Sequence, residues 1–173
     1  MHKRIYLIGF MGSGKTKYGK KIARMMGYSF YDVDHYIEGK AGMTVAEIFA
    51  EKGEKWFRIA ETEAITELSE KENAVISTGG GLPCQGNNME LLNQYGLTVY
   101  LKLTTSELYE NLKSSKKERP LLAGKSKKEM KQTIKAMLKE REPFYNQADM
   151  TLESMHRVTE SVVNSIQRKK KST

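Results

Sequence analysis

A short glycine-rich stretch near the start of the chain combines three glycines with a lysine and a threonine, residue types that can bind phosphate and a metal ion. Residues 9–16 read GFMGSGKT and fit the pattern G-x-x-x-x-G-K-[ST], with an apolar run before and a helical pattern after. The glycines let the backbone wrap with its N–H groups pointing inward, and such a nest at a helix N-terminus binds anions. Lys15 can then bridge the β- and γ-phosphates of a nucleotide, and the Thr16 hydroxyl can ligate Mg²⁺. The stretch predicts a nucleoside triphosphate site formed by Gly12, Ser13, Gly14, Lys15, Thr16 and Lys17.

Hydrolases, molecular switches and kinases all share such a site, so the rest of the sequence must discriminate among them. A guanine-specific switch would carry an N-K-x-D-like motif for base recognition after a later strand, and the sequence has none. A motor or transporter ATPase would be longer than 173 residues. These exclusions leave a small kinase.

Two carboxylates, Asp32 and Asp34, lie in YDVDHY after the second apolar run. Residues i and i+2 of a strand point to the same side, so the sequence predicts that both carboxylates face one site. One could support Mg²⁺, usually through water, while the other accepts the proton of an acceptor hydroxyl. A helix cap is the alternative for such a pair.

Three consecutive glycines, Gly79–Gly81 in STGGGLP, follow the third apolar run. They cost conformational entropy and contribute nothing to packing, so the sequence predicts that another group approaches this backbone closely. A bare turn is the alternative. Arg58, in KWFRIAETE, would by itself be an ordinary solvated arginine on a helix.

The elements that must position these residues alternate along the chain. Helical patterns, one of them opened by a capping box at residues 44–47, separate the strand-like apolar runs. The alternation predicts right-handed crossovers and a parallel sheet covered on both faces, with ligands beyond the carboxyl ends of the strands. The predicted strands cover residues 4–10, 28–33, 74–78, 97–103 and, more weakly, 149–153.

Length and composition favour one compact domain over residues 1–173. No apolar run is long enough to span a bilayer, and the start of the chain lacks the cleavage site of a signal peptide. A single cysteine, Cys84, excludes an internal disulfide framework, which fits a reducing cytoplasm. The three histidines are too scattered to suggest a metal cluster.

The net charge of +8 is concentrated in two segments. Residues 113–141 carry eleven Lys or Arg against three Glu, and residues 157–173 carry five against one. A local basic zone indicates a polyanion, either nucleic acid or a small phosphorylated ligand, although solvated lysine-rich helix faces are the alternative. Low hydrophobicity with a Pro and a Gly predicts a mobile lid at residues 113–127, and a frayed basic tail is expected at residues 168–173.

Six motifs occur in a fixed order along the chain: GFMGSGKT, DVD, WFR, STGGG, ERPLL and REPFY. In this order and spacing they resemble shikimate kinase over nearly the whole length. The resemblance implies a three-layer α/β/α P-loop NTPase fold, similar to nucleoside monophosphate kinases, with a five-stranded parallel sheet, a lid and a substrate-binding region over residues 34–62. It also implies MgATP-dependent phosphorylation of the 3-hydroxyl of shikimate, a step toward chorismate and the aromatic amino acids.

On the acceptor side the resemblance assigns roles to single residues. Asp34 corresponds to the family aspartate that holds the reacting diol and acts as the base, and Asp32 to the one that supports the metal. Arg58 and Arg141 correspond to the two arginines that bind the shikimate carboxylate. Gly79–Gly81 supply backbone next to the substrate, with Gly80 as the matching contact.

On the nucleotide side the resemblance makes Lys15 and Arg119 catalytic, with Arg119, in ERPLL, reaching the transferring phosphate from the lid. One departure stands out. Many family members stack an arginine on adenine about seven residues before the lid arginine, whereas this chain has Asn111 and Leu112 there. Arg157, in MHRVTE, is a candidate substitute for the adenine contact.

The implied partners are small molecules, shikimate and ATP, with Mg²⁺ as cofactor. The expectation is a cytoplasmic monomer without nucleic-acid or membrane partners. A related kinase acting on another polyol acid, such as gluconate, would share the phosphate loop without needing the paired arginines and the triple glycine. A nucleotide-gated RNA-binding protein would use the basic lid and tail, but the sequence offers no aromatic stacking platform there.

Overall fold

The computed structural model describes residues 4–115, 124–153, 160 and 162–164 of the chain. Its strands are β1 (Arg4–Ile8), β2 (Ser29–Asp32), β3 (Ala74–Ser77), β4 (Leu97–Leu101) and β5 (Met150–Leu152). Its helices are α1 (Lys15–Met26), α2 (Val33–Ala41), α3 (Val45–Glu51), α4 (Gly53–Leu68), α5 (Asn88–Tyr95), α6 (Thr105–Lys113) and α7 (Lys127–Tyr145), with a 3-10 turn at Leu82–Cys84. The capping box predicted at residues 44–47 is confirmed at the start of α3.

The strands form one parallel sheet in the order β2-β3-β1-β4-β5. In register, Tyr6 of β1 pairs with Ile76 of β3, and Leu7 of β1 pairs with Val99 of β4. The predicted five-stranded parallel sheet is therefore confirmed. Because all strands run the same way, their carboxyl ends meet at one edge, where the candidate residues lie.

Helices cover both faces of this sheet. Ile5 and Leu7 pack on the face that carries Ile22 of α1, whereas Tyr6 and Ile8 pack on the face that carries α4. The side chains of residues 5–8 are fully buried, because a central parallel strand between two helical layers has no solvent-facing side. This arrangement is the predicted three-layer α/β/α fold. Among the described helices, none is long and apolar enough to cross a membrane.

The second strand ends earlier than its apolar pattern predicts. β2 stops at Asp32 and Val33 already begins α2, so Asp34 lies in the first turn of a helix. The expectation that Asp32 and Asp34 share one side of a strand is therefore wrong. Asp32 occupies the N-cap position of α2 without a side-chain capping bond, so a simple helix cap does not account for it either.

The lid predicted over residues 113–127 connects α6 to α7, and its residues 116–123, with Arg119, lie outside the described residues. Arg157 and the tail at residues 168–173 lie outside them as well. The boundaries of the lid, the substrate-binding region and the tail remain predictions.

Candidate active site

The loop between β1 and α1 follows a backbone path that glycine permits. Gly9, Gly12 and Gly14 have φ angles of 139°, 81° and 90°, which L side chains rarely adopt. A methyl group on Gly12 would also lie 2.9 Å from the Leu112 side chain. Gly14 is the N-cap of α1, so the positive end of the helix dipole lies at the loop. The loop can therefore accommodate an anion.

Lys15 lies inside this loop rather than in solvent. Its side chain is 8% exposed, and Nζ donates to the carbonyl oxygens of Gly9 at 2.8 Å and Phe10 at 2.9 Å. Beside it, the hydroxyl of Ser13 is buried without a hydrogen-bond partner among the described residues. An ammonium and an orphaned hydroxyl at a helix N-terminus fit the oxygens of a bound phosphate.

Two oxygen ligands suited to Mg²⁺ lie at the first turn of α1. The Thr16 hydroxyl donates to Asp32 Oδ2 at 2.8 Å, which joins α1 to the end of β2. Hydroxyl and carboxylate oxygens are hard ligands of the kind Mg²⁺ prefers, and such sites usually take further ligands from water and nucleotide phosphates. Among the described residues, no group of three His, Cys, Asp or Glu could hold a metal ion without other ligands. Thr16 and Asp32 therefore fit a site whose remaining ligands come from nucleotide phosphates and water.

The triple glycine is surrounded by charged side chains from α2, α4 and α7. A methyl group on Gly79 would lie 2.8 Å from Glu61 Oε1 and 3.2 Å from Asp34 Oδ1. On Gly80 it would lie 3.4 Å from Arg141 Nη1, and on Gly81 it would lie 3.0 Å from Arg58 Nη1. Each of the three glycines thus makes room for a charged side chain. This crowding accounts for three consecutive glycines and excludes the alternative of a turn with no group close to it.

Those contacts place Asp34, Arg58 and Arg141 around one short loop, although α2, α4 and α7 are far apart in sequence. The acceptor-side residues predicted from the sequence therefore converge. Two guanidinium groups beside the carboxyl groups of Asp34 and Glu61 form an arrangement that can bind an acidic substrate and accept a proton from it.

Arg58 is held by two glutamates of its own helix, and sequence reasoning missed both. Nη1 donates to Glu61 Oε2 at 2.7 Å, while Nη2 and Nε donate to Glu54 Oε1 at 2.9 and 3.2 Å. Glu61 is 1% exposed and Glu54 is 65% exposed. The spacings i−4 and i+3 about Arg58 could have indicated both partners, because such residues share a helix face.

Burial raises the pKa of Glu61 to about 7, against the opposing hydrogen bond and charge of Arg58. The carboxylate of Asp34 raises this pKa further, whereas Arg141 lowers it. A carboxyl that titrates near neutral pH inside a ligand site is typical of functional positions.

Replacing Glu61 with glutamine is expected to flatten the pH dependence of folding stability. Because the pKa is raised from 4.5 to about 7 on folding, the stabilisation from Glu61 is fully present below pH 4.5 and is lost as the pH rises through about 7. At 1.36 kcal/mol per pKa unit, the contribution of Glu61 to the folding free energy should fall by about 3 kcal/mol across this range, which is the difference expected between wild type and Glu61→Gln. Urea unfolding at about pH 4.5 and pH 8 measures the loss. Glu63→Gln, an exposed position on the same helix, should keep the wild-type slope, and an unchanged slope in Glu61→Gln would contradict the assignment.

Asn111 and Leu112, the departure from the family pattern, both contact the phosphate loop. Asn111 Nδ2 donates to the Gly12 carbonyl oxygen at 2.9 Å, and the buried Leu112 side chain packs against Gly12. Sequence reasoning missed this contact because 99 residues separate Asn111 from Gly12. The helix before the lid therefore supports the phosphate loop directly.

Replacing Asn111 with alanine is expected to raise the KM for the nucleotide by roughly 2- to 10-fold, the usual range for one lost hydrogen bond. Asn111→Asp should raise the KM for the nucleotide further than Asn111→Ala, because a carboxylate cannot donate to the Gly12 carbonyl and repels phosphate. Initial rates at varied ATP concentration measure both effects, with the KM for the acceptor as internal control. An unchanged KM for ATP in both variants would refute a supporting role.

Lys17, Arg119 and Arg157 complete the residues predicted on the nucleotide side. Lys17 is exposed on the first turn of α1, with Nζ 5.8 Å from the ring centroid of Tyr18, whose ring adjoins Gly14 of the loop. Arg119 and Arg157 lie outside the described residues. Their assigned contacts to phosphate and adenine remain predictions.

Comparisons with known proteins agree on one family. A sequence profile described as shikimate kinase matches residues 11–171. The shikimate kinase of Parabacteroides distasonis is 46% identical over 164 residues, which cover 95% of each chain. That of Caldanaerobacter subterraneus is 40% identical over 164 residues, which cover 95% of this chain and 94% of the relative.

Solved structures show the same similarity in three dimensions. The crystal structure of shikimate kinase from Bacteroides thetaiotaomicron superposes with a TM-score of 0.88 at 41% identity and covers 97% of this chain and 98% of its own. Shikimate kinase from Acinetobacter baumannii in complex with shikimate gives a TM-score of 0.84 at 35% identity, covering 99% and 94%. Deoxyadenosine kinase from M. mycoides gives 0.60 at 16% identity over 95% and 99%, a likeness of fold alone.

Proposed function

Because this chain belongs to the shikimate kinase family, we propose that it transfers the γ-phosphoryl group of ATP to the 3-hydroxyl of shikimate. The products are 3-phosphoshikimate and ADP, on the route to chorismate and the aromatic amino acids. The comparisons confirm the family that the six sequence motifs indicated.

One observation carries the proposal: the Gly80 position adjoins both the Arg141 guanidinium and the phosphate loop. A methyl group there would lie 3.4 Å from Arg141 Nη1, but also 3.2 Å from the Met11 nitrogen and 3.5 Å from the Gly9 carbonyl oxygen. An acidic substrate held at this loop would therefore have its far edge close to the nucleotide's terminal phosphate. Phosphoryl transfer depends chiefly on such positioning and on charge neutralisation.

On the acceptor side, the guanidinium groups of Arg58 and Arg141 bind the shikimate carboxylate and fix the orientation of the ring. Asp34 holds the diol and accepts the proton of the 3-hydroxyl, while the oxygen of that hydroxyl forms a bond to the γ-phosphorus. The bond from the γ-phosphorus to the β–γ bridging oxygen breaks, and ADP leaves. The backbone of Gly79–Gly81 lines the acceptor ring.

On the nucleotide side, the backbone of Gly12–Gly14 binds the phosphates, and Lys15 neutralises the charge on the β- and γ-oxygens. Thr16 and Asp32 are the residues that would hold Mg²⁺. When bound, Mg²⁺ would neutralise phosphate charge and so assist attack on the phosphorus. Lys17 adds positive charge at the rim of the loop.

Further features of the proposal concern segments beyond the described site. From the resemblance to the family, we assign Arg119 to the transferring phosphate and Arg157 to adenine, although both lie outside the described residues. We further propose that closure of the predicted lid, residues 113–127, would exclude water and prevent wasteful hydrolysis of ATP. We also propose a cytoplasmic monomer that uses no nucleic acid and no membrane.

A coupled assay of ADP release with shikimate and MgATP tests the proposed function. We expect ADP release that depends on shikimate and falls sharply with the methyl ester of shikimate, which lacks the carboxylate charge. Gluconate serves as the competing acceptor. Absence of shikimate-dependent turnover in a protein that binds ATP, or preferential turnover of gluconate, would reject the proposal.

Replacing Glu54 with glutamine is expected to lower the KM for shikimate by about 2- to 5-fold, the scale of one exposed ion pair. In the free protein, Glu54 takes the Nε and Nη2 donors of Arg58, so the substrate carboxylate must displace it. Initial rates at varied shikimate concentration measure the change. Glu63→Gln controls for the loss of one negative charge from the same helix. A KM for shikimate that rises or stays unchanged in Glu54→Gln would contradict this competition.

A further inference from the structure

The last turn of α7 contains a buried tyrosine that the proposed reaction does not use. Tyr145 is fully buried, and its hydroxyl donates to the Gly80 carbonyl oxygen at 2.6 Å across 65 residues of sequence. Burial raises the pKa of this hydroxyl, so it is a neutral donor at physiological pH. The bond is a fixed link between α7 and the triple glycine.

The glycine at the other end of this link touches two parts of the site at once. A methyl group on Gly80 would lie 3.2 Å from the Met11 nitrogen and 3.4 Å from Arg141 Nη1, so this one position adjoins both the phosphate loop and the Arg141 guanidinium. A rotation of the peptide at Gly80 would therefore change the distance from the acceptor loop to the phosphate loop. The Tyr145 hydroxyl restrains that rotation, because it fixes where the carbonyl points.

Tyr145 and Arg141 are four residues apart on α7 and therefore share one helix face. The Arg141 Cζ lies 5.6 Å from the ring centroid of Phe10, a residue of the phosphate loop. The turn that supplies one acceptor arginine thus contacts the phosphate loop through Phe10 and the triple glycine through Tyr145. Three elements distant in sequence meet at this turn.

The hydroxyl, rather than the ring, is the informative part of Tyr145. Its ring packs against the ring of Tyr100 at a centroid distance of 5.1 Å, a contact that phenylalanine could make equally well. Tyr6 lies fully buried in the same core, and its hydroxyl has no partner among the described residues. Tyr6 shows that burial in this core does not by itself give a tyrosine hydroxyl a hydrogen-bond partner, so packing alone does not account for the bond from Tyr145 to the Gly80 carbonyl.

We propose that Tyr145 is a positioning residue, whose hydroxyl fixes the triple glycine so that the acceptor hydroxyl lies within reach of the terminal phosphate. The inference rests on the proposed function, because it names the acceptor side of that site. It assigns to Tyr145 no contact with substrate and no proton transfer.

Tyr145→Phe tests the proposal, with Tyr100→Phe as the matched control that removes a hydroxyl from the neighbouring ring. We expect kcat/KM for shikimate to fall at least about fivefold in Tyr145→Phe, because misplaced reacting groups lose rate steeply, with the KM for ATP within about twofold of wild type. Tyr100→Phe should keep wild-type kcat/KM. An unchanged kcat/KM in Tyr145→Phe, an equal loss in Tyr100→Phe, or an equal rise in both KM values would overturn the proposal.

Hydrogen–deuterium exchange supplies a readout that needs no activity. Amides of residues 79–81 should exchange faster in Tyr145→Phe than in wild type and Tyr100→Phe, and unchanged exchange there would overturn the link. If wild-type protein fails to phosphorylate shikimate, the proposed function fails while this exchange test of Tyr145 still stands.

Gly80→Ala is a second variant for the case in which Tyr145→Phe does not fold. Its methyl group displaces the same loop from the phosphate side and leaves Tyr145 intact, since it would lie 3.2 Å from the Met11 nitrogen. It should show a similar loss in kcat/KM for shikimate. Wild-type kinetics in Gly80→Ala would overturn the proposal.

Discussion

Replacing Lys15 with methionine is expected to lower kcat by roughly 10²- to 10³-fold, the loss typical of removing one charge-stabilising donor from a transition state. Lys15 Nζ lies 2.8 Å from the Gly9 carbonyl oxygen and 2.9 Å from that of Phe10, inside the loop proposed to hold the phosphates. Methionine keeps a similar length but cannot neutralise developing charge on the phosphoryl oxygens. ADP release at saturating shikimate and ATP measures the change in kcat.

The control for this variant is Lys21→Met, which removes an exposed lysine from the same helix. It should retain wild-type kcat, because its ammonium lies in solvent. Thermal unfolding of both variants separates loss of charge from loss of the loop's internal hydrogen bonds. A kcat within about threefold of wild type in folded Lys15→Met would show that the charge does not assist transfer.

Replacing Arg58 with alanine is expected to raise the KM for shikimate at least about 30-fold, because truncating one partner of a hydrogen-bonded charge pair costs 2 kcal/mol or more. The KM for ATP should change by less than about threefold, since Arg58 contacts Gly81 rather than the phosphate loop. Initial rates at varied concentrations of each substrate give both values. Equal increases in the two KM values would contradict the assignment of Arg58 to the substrate carboxylate.

Arg58→Ala needs a second variant as a control for stability. The replacement would remove the partner, at 2.7 Å, of Glu61, which is only 1% exposed. Leaving a buried carboxylate unpaired typically costs about 3–5 kcal/mol, so Arg58→Ala alone should also be less stable above neutral pH. The double variant Arg58→Ala/Glu61→Gln should regain much of that stability without regaining shikimate affinity. If the double variant recovers the KM for shikimate, the guanidinium is not the binding group.

The phosphate loop and the order of layers could be predicted from the sequence because both depend on neighbours along the chain. The glycines of residues 9–14, with positive φ at Gly9, Gly12 and Gly14, form a turn whose geometry is local. Likewise, apolar runs that alternate with helical patterns specify a parallel sheet, because right-handed crossovers leave few other arrangements.

The same reasoning failed where a strand ended one residue earlier than expected. The run YSFYDV suggested strand through Val33, but helix α2 begins there and carries Asp34 on its first turn. Propensity could not detect this change, because the apolar Val33 is equally suited to a strand or to the buried face of a helix. Asp34 still reaches the triple glycine, although from a helix.

Several contacts that support the site were not predicted from the sequence. Glu61 lies three residues from Arg58, yet its burial against Gly79 is decided by how α4 packs on the sheet. Asn111 meets Gly12 across 99 residues, and Tyr145 meets Gly80 across 65. No local pattern marks such partners.

By itself, therefore, the sequence determined the phosphate loop, the layered fold and, through its six motifs, the family, because these depend on residue types at short fixed spacings. The resemblance had already assigned Asp34, Arg58 and Arg141 to one substrate site. The tertiary structure added Glu61 to them and decided how groups from three helices meet, at the place where three glycines leave them room. Packing against the sheet also buries Glu61 and thereby raises its pKa, an effect that no spacing along the chain encodes.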